Sequence, residues 1–326
     1  MHSFRTLPAV TAGVTGTLAG VLLLTACGSE RAAPGGAGPT DDVAASGSSC
    51  ATPPPGDPSG LERDGVRITG FTPGADGCAR FEITHEGTEP HTYMVTFTVL
   101  SASGTVLDSI VRTVESVAPG RTVEGPDPLE GTRSGVQEAS GIGISQVRSV
   151  PADEAPSSAG PCPASGVRVY ADEGSAAMGL RALSVHLENC GSGPYGLHGY
   201  PEVQPLDEEH EPTDGVQVLH GGDAIASGTG AEGDPQPLVL APGEGARAGL
   251  VWRNTVRHGT AVHAPYARVR AKSGADWVTV VPELDLGTTG RLGVGPWKKD
   301  AEEDRTPPSG LPPTALPTFS DLPAHP

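Results

Sequence analysis

Five carboxylates stand within eight residues at Asp207, Glu208, Glu209, Glu211 and Asp214, and oxygen clusters of that kind hold hard cations such as calcium. The spacing is not that of a calcium-binding helix-loop-helix. Pro205 and Pro212 bracket the run, so it reads as a solvated turn. Six histidines fall between residues 162 and 297, His186, His198, His210, His220, His258 and His263. Imidazole pairs bind copper or zinc, but none of these is at metal-protease spacing, and Met94 and Met178 are the only thioethers after Met1. No metal and no cofactor is expected. The segment Gly228-Thr229-Gly230-Ala231-Glu232-Gly233 fits the glycine pattern that cradles a pyrophosphate, which needs an apolar strand before it and a helix after it. Pro235 and Pro237 follow instead, and a turn-rich loop is the better reading. Ser, His and Asp are plentiful, yet no Gly-x-Ser-x-Gly elbow, Ser-x-x-Lys or His-Glu-x-x-His occurs. A triad is defined by geometry, so the sequence leans away from an enzyme without closing the question.

Covalent chemistry is clearest at the cysteines. Residues 1–6 carry Arg5 and no acid, and residues 7–24 are small and apolar, the pattern of a secretory leader. Pro8, Gly13, Gly16 and Gly20 dilute the apolar run, which is short for a membrane span. It ends in Leu24-Thr25-Ala26-Cys27, which resembles the bacterial lipobox. That resemblance implies cleavage after residue 26 and diacylglyceryl transfer to the Cys27 sulfur, with membrane attachment through the lipid. Two or more acyl chains give stable anchoring. The expected location is the extracytoplasmic face of a bacterial cell membrane.

Cys50, Cys78, Cys162 and Cys190 remain, an even set in an exported chain. Four cysteines allow three pairings. Both consecutive gaps are 28 positions, which favours Cys50 with Cys78 and Cys162 with Cys190. A bridge closing such a loop stabilises by roughly 3.5 kcal/mol. Zinc binding is disfavoured because no Cys-x-x-Cys is present and export is oxidising.

The charge balance, 21 basic against 39 acidic residues for a net −18, argues against a nucleic-acid partner, which would need clustered Lys and Arg. Only Lys272, Lys298 and Lys299 are lysine, and Gly, Ala and Pro abound. This usage suggests a high-GC genome such as that of an actinobacterium.

The elements around these residues fall between compositional breaks. Residues 27–49, rich in Ala, Gly, Ser and Pro, form a flexible tether with a root-mean-square span of about 25 Å. A linker covers 151–161 with three prolines, and a disordered Pro-rich tail covers 298–326 with Glu302, Glu303 and Asp304. The two stretches between, 50–150 and 162–297, are of domain size. In the first, Tyr93, Val95, Phe97 and Val99 alternate with Thr92, Met94, Thr96 and Thr98, a strand with one buried face. Further strands are expected at 66–68, 81–83, 106–111, 122–123 and 142–147. In the second, Leu183, Val185 and Leu187 alternate with Ser184, His186 and Glu188, and Ala246, Ala248, Leu250 and Trp252 alternate with Arg247, Gly249, Val251 and Arg253; strands are also expected at 167–170, 216–219, 238–240, 267–271 and 277–281. The fold class is all-β, two tandem immunoglobulin-like antiparallel β-sandwich domains. Val117-Ala118-Pro119-Gly120 and Leu240-Ala241-Pro242-Gly243, with the equal cysteine spacing, hint at related modules.

Several motifs of the second stretch carry a family resemblance: Ala176-Ala177-Met178-Gly179-Leu180-Arg181, Asn189-Cys190-Gly191, Gly199-Tyr200-Pro201, Leu240-Ala241-Pro242-Gly243, Trp252-Arg253-Asn254 and Gly287-Thr288-Thr289-Gly290-Arg291-Leu292. Together they resemble an actinobacterial secreted family catalogued as domain of unknown function 4232, over about 162–297. The resemblance implies an exported β-sandwich, often on lipoproteins, with no established activity.

One loop has the composition of a contact surface. Residues 191–201 place Tyr195, Leu197, His198 and Tyr200 among four glycines and two prolines, and tyrosine offers large area and a hydroxyl at low entropy. The opposing reading is that Tyr200 plugs the end of the core. The leading function is a non-catalytic module binding an envelope protein or polymer; the alternatives are a cell-envelope hydrolase with an unrecognised site and a structural spacer.

Overall fold

The computed structural model describes residues 50, 60–74, 77–131 and 138–300. The leader, Cys27, the tether and the tail beyond residue 300 lie outside the described residues. The N-terminal strands are β1 (Glu62–Arg63), β2 (Val66–Thr72), β3 (Cys78–His85), β4 (His91–Leu100), β5 (Val106–Val117), β6 (Arg121–Glu124) and β7 (Gly141–Pro151). The C-terminal strands are β8 (Val167–Ala171), β9 (Ser175–Ala177), β10 (Leu180–Asn189), β11 (Tyr195–Leu197), β12 (Glu202–Leu206), β13 (Gln217–His220), β14 (Leu238–Leu240), β15 (Gly245–Arg253), β16 (Val262–Ala264), β17 (Tyr266–Arg270), β18 (Val278–Val280), β19 (Leu284–Gly287), β20 (Arg291–Val294) and β21 (Lys298–Lys299). The protein is all-β, as its alternating patterns require.

In the N-terminal part, sheet β1-β2-β3-β6 faces sheet β5-β4-β7. Strand β4 is central, with Phe97 opposite Ile110 on β5 and Ile144 on β7. Its inward residues Tyr93, Val95, Phe97 and Val99 are buried, while Met94, Thr96 and Thr98 are half-buried. Thr92 departs from the alternation because its hydroxyl accepts the Ser116 N–H at 3.3 Å beside a register shift. Phe81 and Phe97 join the two sheets with ring centroids 4.8 Å apart.

The C-terminal part builds one large sheet, β13-β20-β15-β10-β8, with β9 beside β10 and β21 beside β15. Its core is shared with the small groups β12-β17-β18, β11-β14 and β16-β19. The pairing is not antiparallel throughout: β13 runs parallel to β20. The long chain segment between them supplies the crossover that parallel neighbours need. Both alternations hold on the inner face, but Val251 is fully buried on the outer one. The cover comes from residues 221–233, where a side chain built on Gly249 would come within 3.1 Å of the Ala231 backbone and one on Gly293 within 2.9 Å of the Gly221 carbonyl. Glycine is required at both positions because the loop backbone lies against the sheet.

Both disulfides, Cys50–Cys78 and Cys162–Cys190, are formed. The 151–161 segment is more than a spacer. Strand β7 leads into a 3-10 turn at Ala152–Glu154, and the Glu154 carboxylate accepts from Arg268 and from the Thr279 hydroxyl at 2.7 Å. Ser157 N–H then donates to the Val169 carbonyl at 3.1 Å. Between the sandwiches, Val150, Leu206 and Tyr266 form a small buried cluster, and Arg148 donates to Glu283 at 2.5 Å and to Glu208 at 2.9 Å.

Candidate functional site

The open flank of the C-terminal sandwich sets β8 near β18, the end strands of two different sheets. A cleft of about 290 Å³ lies there, with Val167, Val169, Ala271, Val278 and Tyr195 as its apolar wall and Lys272 and Asp276 at its rim. Tyr195 is placed by the β11-β14 pairing, opposite Leu240. Its ring packs on the core from the partly buried side, and burial, reinforced by Asp276, pushes its phenol above the usual range. The Lys272 ammonium sits 3.9 Å from the Tyr195 ring centroid while donating to the Gly196 carbonyl at 2.8 Å. The cation is therefore fixed over the ring by two contacts.

The four residues singled out in the 191–201 loop are not brought to one surface. Tyr195 and Leu197 share the inward face of β11, and Leu197 is 3% exposed, so it is a core residue and not a contact residue. His198 points to solvent. Tyr200 stacks on His220 with centroids 4.4 Å apart, away from the Tyr195 cleft. The period of two along a three-residue strand explains the split, and the glycines concealed it from a composition-based reading. Sequence reasoning missed Lys272 and the valines of β8 and β18 as one wall, since strand signals do not reveal which sheet ends face each other.

The other sequence candidates are occupied by structural work. Asp207 folds its own turn by accepting the Glu209 and Glu211 N–H groups at 3.1 and 2.9 Å, and Glu208 serves Arg148. In the glycine-rich loop, the Glu232 carboxylate accepts from Thr229 N–H at 2.7 Å and Gly230 N–H at 2.9 Å. A carboxylate of the chain thus fills the place that a phosphate takes in a nucleotide loop, and the Thr229 backbone bond leads the contacts that hold its pKa below the usual carboxylate value. Among the described residues, no group of three His, Cys, Asp or Glu side chains is placed to hold a metal. Among the described residues, Ser149 Oγ lies 3.2 Å from His91 Nδ1, with Glu89 3.9 Å from His91 Nε2, a partial likeness to a triad. The second distance is too long for a hydrogen bond, and neither Ser149 nor His91 lines the Tyr195 cleft.

A larger groove of about 530 Å³ crosses the N-terminal sandwich, lined by Glu62, Asp64, Glu82 and Glu86 with Arg67 and His85 among them. Arg67 is already paired with Glu62 at 2.9 Å. The groove lacks an apolar wall, and the smaller Tyr195 cleft is the better-formed recess for a ligand side chain.

The motif residues of the C-terminal sandwich converge on Asp285. Its carboxylate accepts from Trp252 Nε1 at 2.7 Å, Asn254 Nδ2 at 3.0 Å and Arg181 at 3.2 Å. Gly290, at φ +57°, would place a side chain 2.2 Å from the Gly215 carbonyl, so its presence is a matter of backbone approach. These residues build the fold. No curated protein matches the chain. Residues 162–298, which include the Tyr195 cleft, match the family described as "Domain of unknown function (DUF4232)".

Proposed function

We propose that this is a lipid-anchored extracytoplasmic protein whose C-terminal sandwich binds an envelope protein or polymer, without catalysis, through the cleft beside Tyr195. The observation that carries the reading is the recess itself: an apolar wall between two sheet ends, with Tyr195 in that wall and Lys272 fixed over its ring. Such a recess takes one or two apolar side chains of a partner. The anchor rests on the sequence at Leu24-Thr25-Ala26-Cys27, and the usage of Arg over Lys favours an actinobacterial host.

The test is capture from the protein's own envelope. Ala275 lines the cleft, and Ala275→Trp fills it without emptying the core, so partner capture is expected to fall at least about tenfold at an unchanged melting temperature. In the same preparation Cys27→Ala is expected to move the mature protein from the membrane fraction to the medium or to leave an uncleaved precursor. Undiminished capture by Ala275→Trp refutes the cleft, and membrane retention of cleaved, mature Cys27→Ala protein refutes the anchor.

A further inference from the structure

A stack of histidines crosses the junction of the two sandwiches. His85 closes β3 and is 4% exposed. Its Nε2 lies 2.6 Å from the Glu89 carbonyl and its Nδ1 2.7 Å from the Tyr93 hydroxyl. A carbonyl only accepts, so Nε2 carries the proton, and in the neutral ring Nδ1 accepts from Tyr93. His91, at the start of β4, stacks on His85 with centroids 4.9 Å apart. On its other side His210, from the turn after β12, meets His91 edge-on at 6.1 Å and Tyr266 at 4.2 Å. His210 Nε2 donates across the junction to the Ser149 carbonyl at 2.9 Å, and the Tyr266 hydroxyl receives the Ser149 N–H at 3.4 Å.

We propose that this group of three histidines is a pH-responsive latch, holding the two sandwiches together while its middle ring, His91, is neutral and loosening the junction when that ring takes up a proton. The apolar part of the junction is small, Val150, Leu206 and Tyr266 with Met94 and Val281 against them, so the polar contacts carry much of the coupling. His91 is the middle ring. Toward it face His85 from β3, His210 from the 207–212 turn, Glu89 from the turn before β4, and Asp153 from the 3-10 turn. Tyr93 and Tyr266 remain neutral, since burial pushes both phenols above the usual range. Arg148 adds a further cation to the junction, answered by Glu208 and Glu283.

Burial first, then the neighbouring His85 and His210, hold His91 below the ordinary histidine value; Glu89 and Asp153 oppose this less strongly. The closed junction therefore binds a proton on His91 more weakly than the opened one. Its stability is fully present above the ordinary value of about 6.5 and is lost as pH falls below it toward the lowered value.

Hydrogen exchange on the full chain at about pH 7.5 and about pH 5.5, corrected for intrinsic rates, tests the latch. Protection at residues 146–151 and 207–212 is expected to fall about tenfold per pH unit for one linked proton, while the strand cores at 95–99 and 246–252 keep theirs. His91→Gln combined with His210→Gln is expected to remove the pH dependence. Equal protection at both pH values in the native chain, or the same loss in the double variant, overturns the proposal. Should the double variant lose core protection at neutral pH, the ring proton resonances of the native protein decide: His91 titrating at or above about 6.5 overturns the latch, and titration below it supports the latch.

Discussion

The two sandwiches carry cystine loops of the same 28-residue separation on different frameworks. In the N-terminal one, Cys50 precedes the first strand and is joined to the first residue of β3, so the bridge encloses the β1-β2 hairpin. In the C-terminal one, Cys162 precedes β8 and is joined to the residue after β10, so the bridge encloses three strands. Strand orders differ as well: β1-β2-β3-β6 over β5-β4-β7, against a sheet with a parallel pair at one edge. Equal spacing thus reflects equal loop length and not equal topology. The Pro-Gly turns are more alike. Arg121 N–H bonds to the Ala118 carbonyl and Glu244 N–H to the Ala241 carbonyl, with Gly120 and Gly243 at positive φ, and each turn passes the chain from one sheet to another. That likeness follows from turn chemistry alone.

The difference also explains which parts could be read in advance. The N-terminal sandwich is held by alternating apolar strands, and each expected strand there is present, extended by several residues. The C-terminal sandwich adds β9, β11, β12, β16, β19, β20 and β21, which show no useful period. Strand β12 contains Pro205, and β19 buries Leu284, Leu286 and Gly287 while its Asp285 faces the Trp252 and Asn254 donors. Their places are set by close backbone approach and by side-chain hydrogen bonds, which no local pattern encodes. Tyr195 was legible as a large aromatic in a turn-rich loop. The wall it shares with Val167 and Val278 was not, because the facing of two sheet ends is a tertiary fact. The histidine stack was invisible for the same reason: His85, His91 and His210 come from three segments.

The comparison is tested hardest at the cores. Trp297 is 2% exposed and its indole N–H donates to the Ala271 carbonyl at 2.9 Å. Trp297→Ala removes both its packing and a buried donor, and is expected to cost about 4 kcal/mol by chemical denaturation. Phe97→Ala in the N-terminal core, which loses packing only, is expected to cost about 3 kcal/mol. A cost at Trp297 well below that at Phe97 would show that the second core does not depend on its polar closure.

A smaller effect is expected at Asp285. Asp285→Ala leaves the indole N–H of Trp252, the Asn254 amide and the Arg181 guanidinium without their shared acceptor. Since the carboxylate is 40% exposed, water replaces part of the loss, and about 2 kcal/mol is expected in thermal unfolding, with a shift in Trp252 fluorescence. An unchanged melting temperature would mean that the network is incidental and that the sheets alone hold β19 in place.

The smallest effect separates linker from domain. Glu154 lies in the segment between the sandwiches, yet its carboxylate is bonded to Arg268 and Thr279 of the C-terminal one. The pair is partly exposed, 32% at Arg268 and 19% at Glu154, so screening limits its worth. Glu154→Gln keeps the shape, removes the charge and retains one carbonyl oxygen as an acceptor. The expected cost is about 1 kcal/mol, seen as a drop of a few degrees in melting temperature, together with faster hydrogen exchange at 152–158 and no change in the β4 core. If exchange at 152–158 is already fast in the native chain, the segment is a free connector, and the C-terminal sandwich begins at β8. If it is slow in the native chain and quickens in the variant, the sandwich includes its own entry strap, and the boundary between the two units lies at the end of β7.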